Sequence, residues 1–334
     1  VTVSVLYWLP KRANIRRFLN RCTVASFSFA TMTDAPAKST NDSKANFLQD
    51  GWYREESSCW PGQAMSLKVK QVKVDRQTEF QHFTVFENDG PWGNVMTLDG
   101  AIQLTDRDEF VYHEMMAHVP LCCHPNPKHV LIIGGGDGGV MREVLKHPSV
   151  ERCDLVDIDG VVIEESKKHF PQIAVSFANK KANAIVGDGA AFVKDKTEEY
   201  DCIIVDSSDP DGPASVLFGE EFYLNVKRAL RPGGIVCSQG ESVWLHLELI
   251  QRLATFFRTT IGFHQTNYGM IYIPTYPCGS IGCLVGSKSA DVPITKPCRE
   301  LPEEVASGLK YYSRQMHEAA FALPRFAAKL NEQQ

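Results

Sequence analysis

The sequence predicts an α/β fold, in which a doubly wound, mostly parallel sheet follows a small N-terminal antiparallel β domain. From about residue 109, short apolar runs alternate with helical segments, which is typical of right-handed βαβ units. The glycine-rich loop Gly134–Gly139 directly follows the apolar run His129–Ile133, as expected where a buried parallel strand turns into a helix. Between residues 47 and 108 the runs are shorter and are separated by turn residues, which indicates antiparallel strands.

Residues 1–46 are set apart from both predicted domains. Five basic residues precede the first acid, Asp34, a bias that is typical of organelle-targeting segments. The chain opens with Val1, however, and Met32 offers a plausible start. A disordered tail, an artefactual extension and a targeting segment all remain open for this region.

Composition narrows the possible functions. The 334 residues carry a formal net charge of -5, which argues against a nucleic-acid partner. No apolar stretch reaches the roughly 20 residues of a transmembrane helix. The ten cysteines form no CxxC pair, so we expect free thiols in a reducing, cytoplasmic compartment and no metal site.

The N-terminal β domain is predicted over residues 47–108. The run Leu67–Val74 alternates apolar and polar residues with a slip near Gln71, which predicts a β-bulge. Turn clusters at Asn88–Gly93 and Asp99–Gly100 separate the later runs. The further strands predicted here are Phe80–Phe86, Asn94–Leu98 and Ala101–Leu104.

The second domain is predicted over residues 109–334. Helices are expected at 109–119, 160–169 and 219–230, the last ending at the breaker cluster Arg231–Gly234. The predicted strands of this sheet are His129–Ile133, Cys153–Asp157, Asn183–Val186, Tyr200–Val205 and Ile235–Ser238.

The glycine loop alone leaves two classes of enzyme open. GxGxxG with Asp157 about 20 residues further on fits a dinucleotide dehydrogenase or an enzyme that binds an adenosyl sulfonium. Asp137 lies inside the loop, where its carboxylate would repel a pyrophosphate by roughly 4 kcal/mol at an effective dielectric near 20. The same carboxylate would attract an ammonium or a sulfonium. The alternative for Asp137 is a structural cap on the following helix.

Acidic residues follow four successive strands of the predicted sheet. Because ligands of open parallel sheets bind beyond the carboxyl ends of the strands, these acids should line one pocket. Grouped like charges are costly unless a cation joins them, so the pattern predicts a polycationic ligand. The same acids would repel a methyl donor that keeps its own carboxylate. The acids are Asp137, Asp157, Asp188, Asp206 and Asp209.

From Gly51 to the C-terminus the sequence resembles the spermidine synthases, which are polyamine aminopropyltransferases. The resemblance implies a Rossmann-like, class I methyltransferase-like catalytic domain and a homodimer. It also implies that an aminopropyl group passes from decarboxylated S-adenosylmethionine, a co-substrate and not a cofactor, to putrescine. The motifs that carry the resemblance are Trp60–Gln63, Arg107–Met115, Gly134–Pro148, Asp188–Gly189, Asp206–Pro213, Gln239–Glu241 and Ile273–Pro277.

The resemblance also implies roles for individual residues. Asp206 would be the catalytic base, assisted by the hydroxyl of Tyr112. The family usually has Glu where this chain has Asp157, and either His or Gln at the position of His113. The implied donor-binding residues are Gln81, His113, Asp137, Asp157, Asp188 and Gly189, and the implied acceptor-binding residues are Tyr112, Asp206, Asp209 and Tyr276.

Three further functions remain as alternatives. A spermine synthase or a diamine N-methyltransferase would use the same scaffold, and an inert regulatory homologue would keep only the fold. The intact Tyr112, Asp206 and glycine loop argue against the inert homologue. The segment 209–218, which contains two prolines and a glycine, is predicted to close over bound ligands.

Overall fold

The computed structural model describes residues 47–206 and 219–332. Over these residues the chain forms two sheets, one of six and one of seven strands. The predicted extension 1–46 and the whole segment 209–218, which includes Asp209, lie outside the described residues.

The first sheet is antiparallel throughout and follows chain order from β1 to β6. Its third strand shifts register between Val69 and Gln71 and again between Val72 and Val74, which confirms the predicted bulge. The strands are β1 (Phe47–Gln49), β2 (Trp52–Glu56), β3 (Ala64–Gln77), β4 (His82–Asn88), β5 (Asn94–Leu98) and β6 (Ala101–Thr105).

The second sheet has the order β12-β13-β11-β10-β7-β8-β9. The five strands from β11 to β9 are parallel, whereas β12 and β13 are antiparallel, so the mostly parallel sheet is confirmed. The strands are β7 (His129–Gly134), β8 (Arg152–Asp157), β9 (Ala182–Val186), β10 (Tyr200–Asp206), β11 (Leu230–Gln239), β12 (Gln265–Tyr272) and β13 (Ser280–Ser287).

Helices cover both faces of the second sheet. They are α1 (Glu109–Cys123), α2 (Gly139–Val144), α3 (Gly160–His169), α4 (Pro171–Ala174), α5 (Gly189–Lys194), α6 (Glu220–Ala229), α7 (Val243–Thr259), α8 (Glu303–Ala306) and α9 (Arg314–Ala320). No helix in the described ranges has the length and apolar character needed to span a membrane.

The two largest differences from the predicted element boundaries are at α1 and β11. Helix α1 continues to Cys123 and carries Pro120 inside it, because proline removes only one backbone donor and neighbouring packing can tolerate that loss. Strand β11 begins at Leu230 rather than Ile235, and its register shifts where it passes the glycine pair. The breaker cluster therefore ends α6 and forms an irregular start of the strand.

The core is divided by the second sheet into two apolar layers. Val130 and Ile132 of β7 pack into the layer that contains α1, whereas Leu131 and Ile133 pack into the layer that contains α6 and α7. Alternate residues of a strand point to opposite faces, so β7 is buried on both sides. This burial holds the carboxyl ends of the parallel strands in a fixed arrangement.

Asp108 connects three separate segments next to this edge. The hydroxyl of Thr105, at the end of β6, donates to Asp108 Oδ1 at 2.6 Å. The backbone N–H and the hydroxyl of Thr275, in the loop after β12, donate to Asp108 Oδ2 at 3.1 and 2.7 Å. The first sheet, the start of α1 and the loop after β12 are thereby joined through one buried carboxylate.

Candidate active site

Asp206 is the last residue of β10 and lies beside Gly134 of β7. The hydroxyl of Tyr112, from α1, donates a hydrogen bond of 2.7 Å to Asp206 Oδ1, and both side chains are buried. A strand end and a packed helix thus hold the carboxylate and the hydroxyl together without a ligand.

The protonation of Asp206 is set by its surroundings. Burial, followed by the neighbouring carboxylate of Asp137, raises the pKa of Asp206 to about 6, and the Tyr112 hydrogen bond and the charge of His113 oppose the rise. Burial and the Asp206 charge raise the pKa of Tyr112 well above its ordinary value. Near neutral pH, Asp206 is therefore mainly ionised and can accept a proton, while Tyr112 stays a donor.

Asp137 bonds to the start of α2 and also lies among the other titratable groups of the site. Its Oδ1 accepts the backbone N–H of Gly139 at 2.7 Å, which caps the start of α2. The same oxygen lies 3.2 Å from Nε2 of His113. The capping role does not remove the carboxylate from the site, because its charge also raises the pKa values of Asp157 and Asp206.

Asp157 ends β8 and accepts two backbone hydrogen bonds of 2.8 Å, from Gly136 N–H to Oδ2 and from Asp159 N–H to Oδ1. Burial raises the pKa of Asp157 to about 6 although these N–H groups lower it. A Cβ on Gly136 would lie 2.6 Å from Asp157 Oδ2. The glycine loop must therefore lack a side chain here for the carboxylate to approach it.

Gln81 reaches the same edge from the first sheet. Its Nε2 donates to Asp159 Oδ2 at 3.0 Å, and the hydroxyl of Thr78 donates to the same oxygen at 2.8 Å. Asp159 also caps α3 by accepting the N–H of Val161. Asp159 is not among the predicted site residues, although its position two residues after Asp157 offers a signal.

Asp188 and Gly189 follow β9 at this edge of the sheet. Asp188 is exposed, and its Oδ1 caps α5 by accepting the N–H groups of Ala190 and Ala191 at 2.8 and 3.3 Å. A Cβ on Gly189 would lie 2.4 Å from Cγ2 of Ile133. The missing side chain at Gly189 therefore has a packing reason in addition to any ligand contact.

Tyr276 lies next to Tyr112, with 6.1 Å between the ring centroids. Its hydroxyl donates to the backbone oxygen of Gln103 at 2.7 Å. Burial and the charge of Asp206 raise the pKa of Tyr276 well above its ordinary value. The structure thus brings together Tyr112, Asp206 and Tyr276, whereas Asp209 lies outside the described residues.

Two further buried acids, Glu55 and Glu241, are not among the predicted site residues. Oε1 of Glu55, in β2, accepts the backbone N–H of Ile102 at 2.9 Å. Its Oε2 has no hydrogen-bond partner among the described residues. Burial raises the pKa of Glu55 to about 7. Its charge contributes to the raised pKa of Tyr276. Glu241, after β11, has a positive φ of 60° and lies 3.2 Å from Nδ1 of His246.

The rule that acids follow strand ends could have found Glu241, which comes directly after the fifth parallel strand. That rule could not have predicted Glu55, because Glu55 lies within a strand of the first, antiparallel sheet. Uncompensated buried acids are expensive, so this concentration of carboxylates fits a cationic ligand. The fold and the site define a transferase of the methyltransferase-like class that acts on small cationic molecules.

Comparisons with known proteins give the family. Residues 109–296 match the family described as the Spermine/spermidine synthase domain, and residues 51–106 match the Spermidine synthase tetramerisation domain. The chain belongs to the spermine/spermidine synthase family, whose members are aminopropyltransferases.

The relatives match over nearly their whole length. The chain is 48% identical over 281 residues to the spermidine synthase of Schizosaccharomyces pombe, covering 84% of this chain and 93% of the relative. It is 48% identical over 282 residues to the spermidine synthase of Dictyostelium discoideum, covering 84% and 98% of the two chains.

Solved structures show the same fold. A spermidine synthase in complex with the transition-state analogue AdoDATO has a TM-score of 0.76 and 38% identity, covering 85% of this chain and 95% of that chain. The spermidine synthase from Thermotoga maritima has a TM-score of 0.74 and 36% identity at the same coverage. The class I methyltransferase-like fold with an N-terminal antiparallel β sheet is thereby confirmed.

Proposed function

We propose that this aminopropyltransferase moves the aminopropyl group of decarboxylated S-adenosylmethionine to putrescine, giving spermidine and methylthioadenosine. The observation that carries the proposal is the buried Tyr112–Asp206 pair, which lies beside the glycine loop and its carboxylate Asp137. The names of the relatives and the AdoDATO-bound neighbour support the same reaction.

Asp206 is the proposed catalytic base. A diamine nitrogen is protonated at neutral pH because its pKa is near 10, and it becomes a nucleophile only after losing a proton. Asp206 accepts this proton, directly or through water, while the Tyr112 hydroxyl keeps the carboxylate in place. Its pKa of about 6 leaves it ionised at the start of the reaction.

The chemical step is an in-line displacement at carbon. The diamine nitrogen forms a bond to the propyl carbon, the bond from that carbon to sulfur breaks, and its electron pair remains on sulfur. Methylthioadenosine leaves as a neutral thioether. The sulfonium is already a good leaving group, so the proposed step uses no resident cofactor or metal and depends on alignment of the reacting atoms.

The proposed donor site is the carboxyl edge of β7, β8 and β9. Asp157 is assigned to the ribose hydroxyls, and Asp137 and His113 to the aminopropyl arm. Asp157 has a shorter side chain than the Glu of many relatives, but its position against Gly136 supports an approach to the same edge. Gln81, Asp188 and Gly189 complete the proposed donor set.

The proposed acceptor site lies on the other side of Asp206. Tyr112 and Tyr276 form its aromatic walls, and Asp206 and Asp209 are assigned to the amines of putrescine. Buried Glu55, whose charge acts on Tyr276, supports this assignment, because a second ammonium would give this otherwise costly acid a counter-charge.

The acceptor and the reaction type can be tested in one experiment. The protein is incubated with decarboxylated donor and putrescine, with decarboxylated donor and spermidine, or with S-adenosylmethionine and putrescine, and the products are identified by mass. Spermidine with equimolar methylthioadenosine from the first mixture alone supports the proposal. Faster spermine formation would indicate a spermine synthase, and a methylated diamine would indicate a methyltransferase. Tight binding without any product would favour the inert homologue.

We further assign the protein to the cytoplasm and to a homodimer. All nine described cysteines are free, which favours a reducing compartment, and the segment matching a tetramerisation domain favours an oligomer. Light scattering at several concentrations distinguishes a dimer from a tetramer, and imaging of the full chain tests the compartment.

A further inference from the structure

His113 lies between two carboxylates, one at each ring nitrogen. Its Nδ1 is 2.6 Å from Glu109 Oε2, and its Nε2 is 3.2 Å from Asp137 Oδ1. An ionised carboxylate can only accept hydrogen bonds, so an unprotonated ring nitrogen would place a lone pair against a negative charge. The arrangement therefore favours the imidazolium, with a proton on both nitrogens.

Glu109 is itself fixed by Arg142 of α2. Nη1 and Nη2 of the guanidinium donate to Oε1 and Oε2 of Glu109 at 3.0 and 2.8 Å, a bidentate geometry that is strong and directional. The Nε of Arg142 donates to Glu143 Oε1 at 2.7 Å, and Glu143 is fully buried. Arg142 is thus held at both ends of its guanidinium.

The groups that face His113 come from four elements. Helix α1 supplies Glu109 and Tyr112, the glycine loop supplies Asp137, α2 supplies Arg142 through Glu109, and β10 supplies Asp206. Burial lowers the pKa of His113, but the Asp137 and Glu109 carboxylates outweigh it and raise that pKa to about 10. Burial raises the pKa of Glu109, but His113 and Arg142 outweigh it and lower that pKa to about 2.

The ring has little freedom to leave this position. A Cβ on Gly139 would lie 2.2 Å from Cε1 and Nδ1 of His113, so the imidazole packs directly on the glycine backbone. Gly139 N–H and His113 both contact Oδ1 of Asp137. One oxygen of Asp137 is therefore held by the protein, and the other accepts no hydrogen bond from residues 47–206 or 219–332.

We propose that Glu109 and Arg142 are positioning residues, which keep His113 doubly protonated so that it donates to the Asp137 carboxylate and orients it for the amine of the donor. The inference rests on the proposed function, because it assigns the donor amine to Asp137. Glu109 and Arg142 act through His113, since they lie at its Nδ1 side, away from Asp137. The pair thus acts on the affinity for the donor, and donor affinity is the readout of choice because the charge of His113 also lowers the pKa of Asp206 and would affect turnover.

The test compares Glu109→Gln with the wild type. Titration of the His113 ring by NMR in the ligand-free protein should show a doubly protonated ring through pH 8 in the wild type and a titration below pH 8 in Glu109→Gln. Calorimetry with decarboxylated S-adenosylmethionine should show affinity reduced on the order of tenfold at pH 8, the loss of about one charge-assisted hydrogen bond. At pH 6 the ring of the variant regains its proton, and the difference should shrink.

Glu114→Gln is the matched control. Glu114 lies on the same helix and is equally buried, but its carboxylate accepts the backbone N–H groups of Lys310, Tyr311 and Tyr312 at 2.7–2.9 Å. This variant should lose stability without changing the His113 titration or the pH dependence of donor affinity. The control separates a destabilised α1 from the loss of a charge beside His113.

Two results would overturn the inference. One is a wild-type His113 ring that is neutral at pH 7, which can be measured even if Glu109→Gln does not fold. The other is an affinity loss in Glu109→Gln that is equal at pH 6 and pH 8. Failure of the proposed function would look different, because the wild type would then form no spermidine while the ring titration stayed as expected.

Discussion

Replacing Tyr112 with Phe should move the acidic limb of the pH–rate profile to higher pH. The hydroxyl donates a 2.7 Å hydrogen bond to buried Asp206, whose pKa is about 6. A hydrogen bond to a charged group contributes about 1.5–3 kcal/mol, and one pH unit corresponds to about 1.36 kcal/mol. Loss of the hydroxyl therefore raises the pKa of Asp206 by roughly one to two pH units.

The acidic limb moves to higher pH because Asp206 acts only in its ionised form. Asp206 accepts the proton only as a carboxylate, so activity falls as pH drops through its pKa. At pH 7 the wild type is mainly ionised, whereas only about one-half to one-tenth of the variant is ionised, so kcat/KM at pH 7 should fall roughly two- to tenfold and largely recover at pH 8.5.

The assay is the rate of methylthioadenosine formation between pH 5 and pH 9 with subsaturating putrescine. Tyr276→Phe is the matched control, because Tyr276 is equally buried but its hydroxyl donates to the Gln103 backbone rather than to Asp206. The reasoning is refuted if the acidic limb of Tyr112→Phe stays at the wild-type position, or if Tyr276→Phe shifts it by the same amount.

Three further predictions follow from individual contacts. Asp206→Asn should lower kcat by about 10²–10⁴-fold, the usual contribution of a general base, while calorimetry shows donor binding close to the wild type; near-normal turnover would remove Asp206 from its role. Gly136→Ala places a Cβ 2.6 Å from the carboxylate that ends β8 and should raise the donor KM by roughly tenfold or more. Gly187→Ala, where a Cβ would have nothing within 4 Å, is its control, and equal effects would contradict the steric argument. Asp108→Asn places an amide against backbone and hydroxyl donors and should lower the free energy of unfolding by about 2–3 kcal/mol, measured by urea denaturation; an unchanged midpoint would contradict it.

The parallel sheet was predictable because its strands are buried on both faces. Runs such as Val130–Ile133 are continuously apolar, and the structure shows alternate residues in opposite core layers. The antiparallel strands β12 and β13 gave no comparable signal, since a buried edge strand and a buried central strand have the same composition. Chain direction in the sheet is decided by connections, which the apolar pattern does not encode.

The acids at the strand ends were predictable for a similar reason, since topology places the carboxyl ends of parallel strands at one edge. Asp137, Asp157 and Asp206 interact electrostatically as that rule requires. The same rule does not predict contacts between side chains that are distant in sequence. Arg142 and Glu109 are 33 residues apart, and nothing in their local sequence shows that a guanidinium and a carboxylate meet behind His113.

The carboxylate of Asp108 bonds to a residue that is 167 positions later in the chain. During synthesis, the ribosome must therefore release the 167 residues that follow Asp108 before this bond can form. Until then the loop that carries Tyr276 is missing, and an incomplete nascent chain has no second aromatic wall. The proposed diamine site is consequently completed only after Thr275 and Tyr276 have been synthesised, even though the glycine loop and its neighbouring acids emerge much earlier.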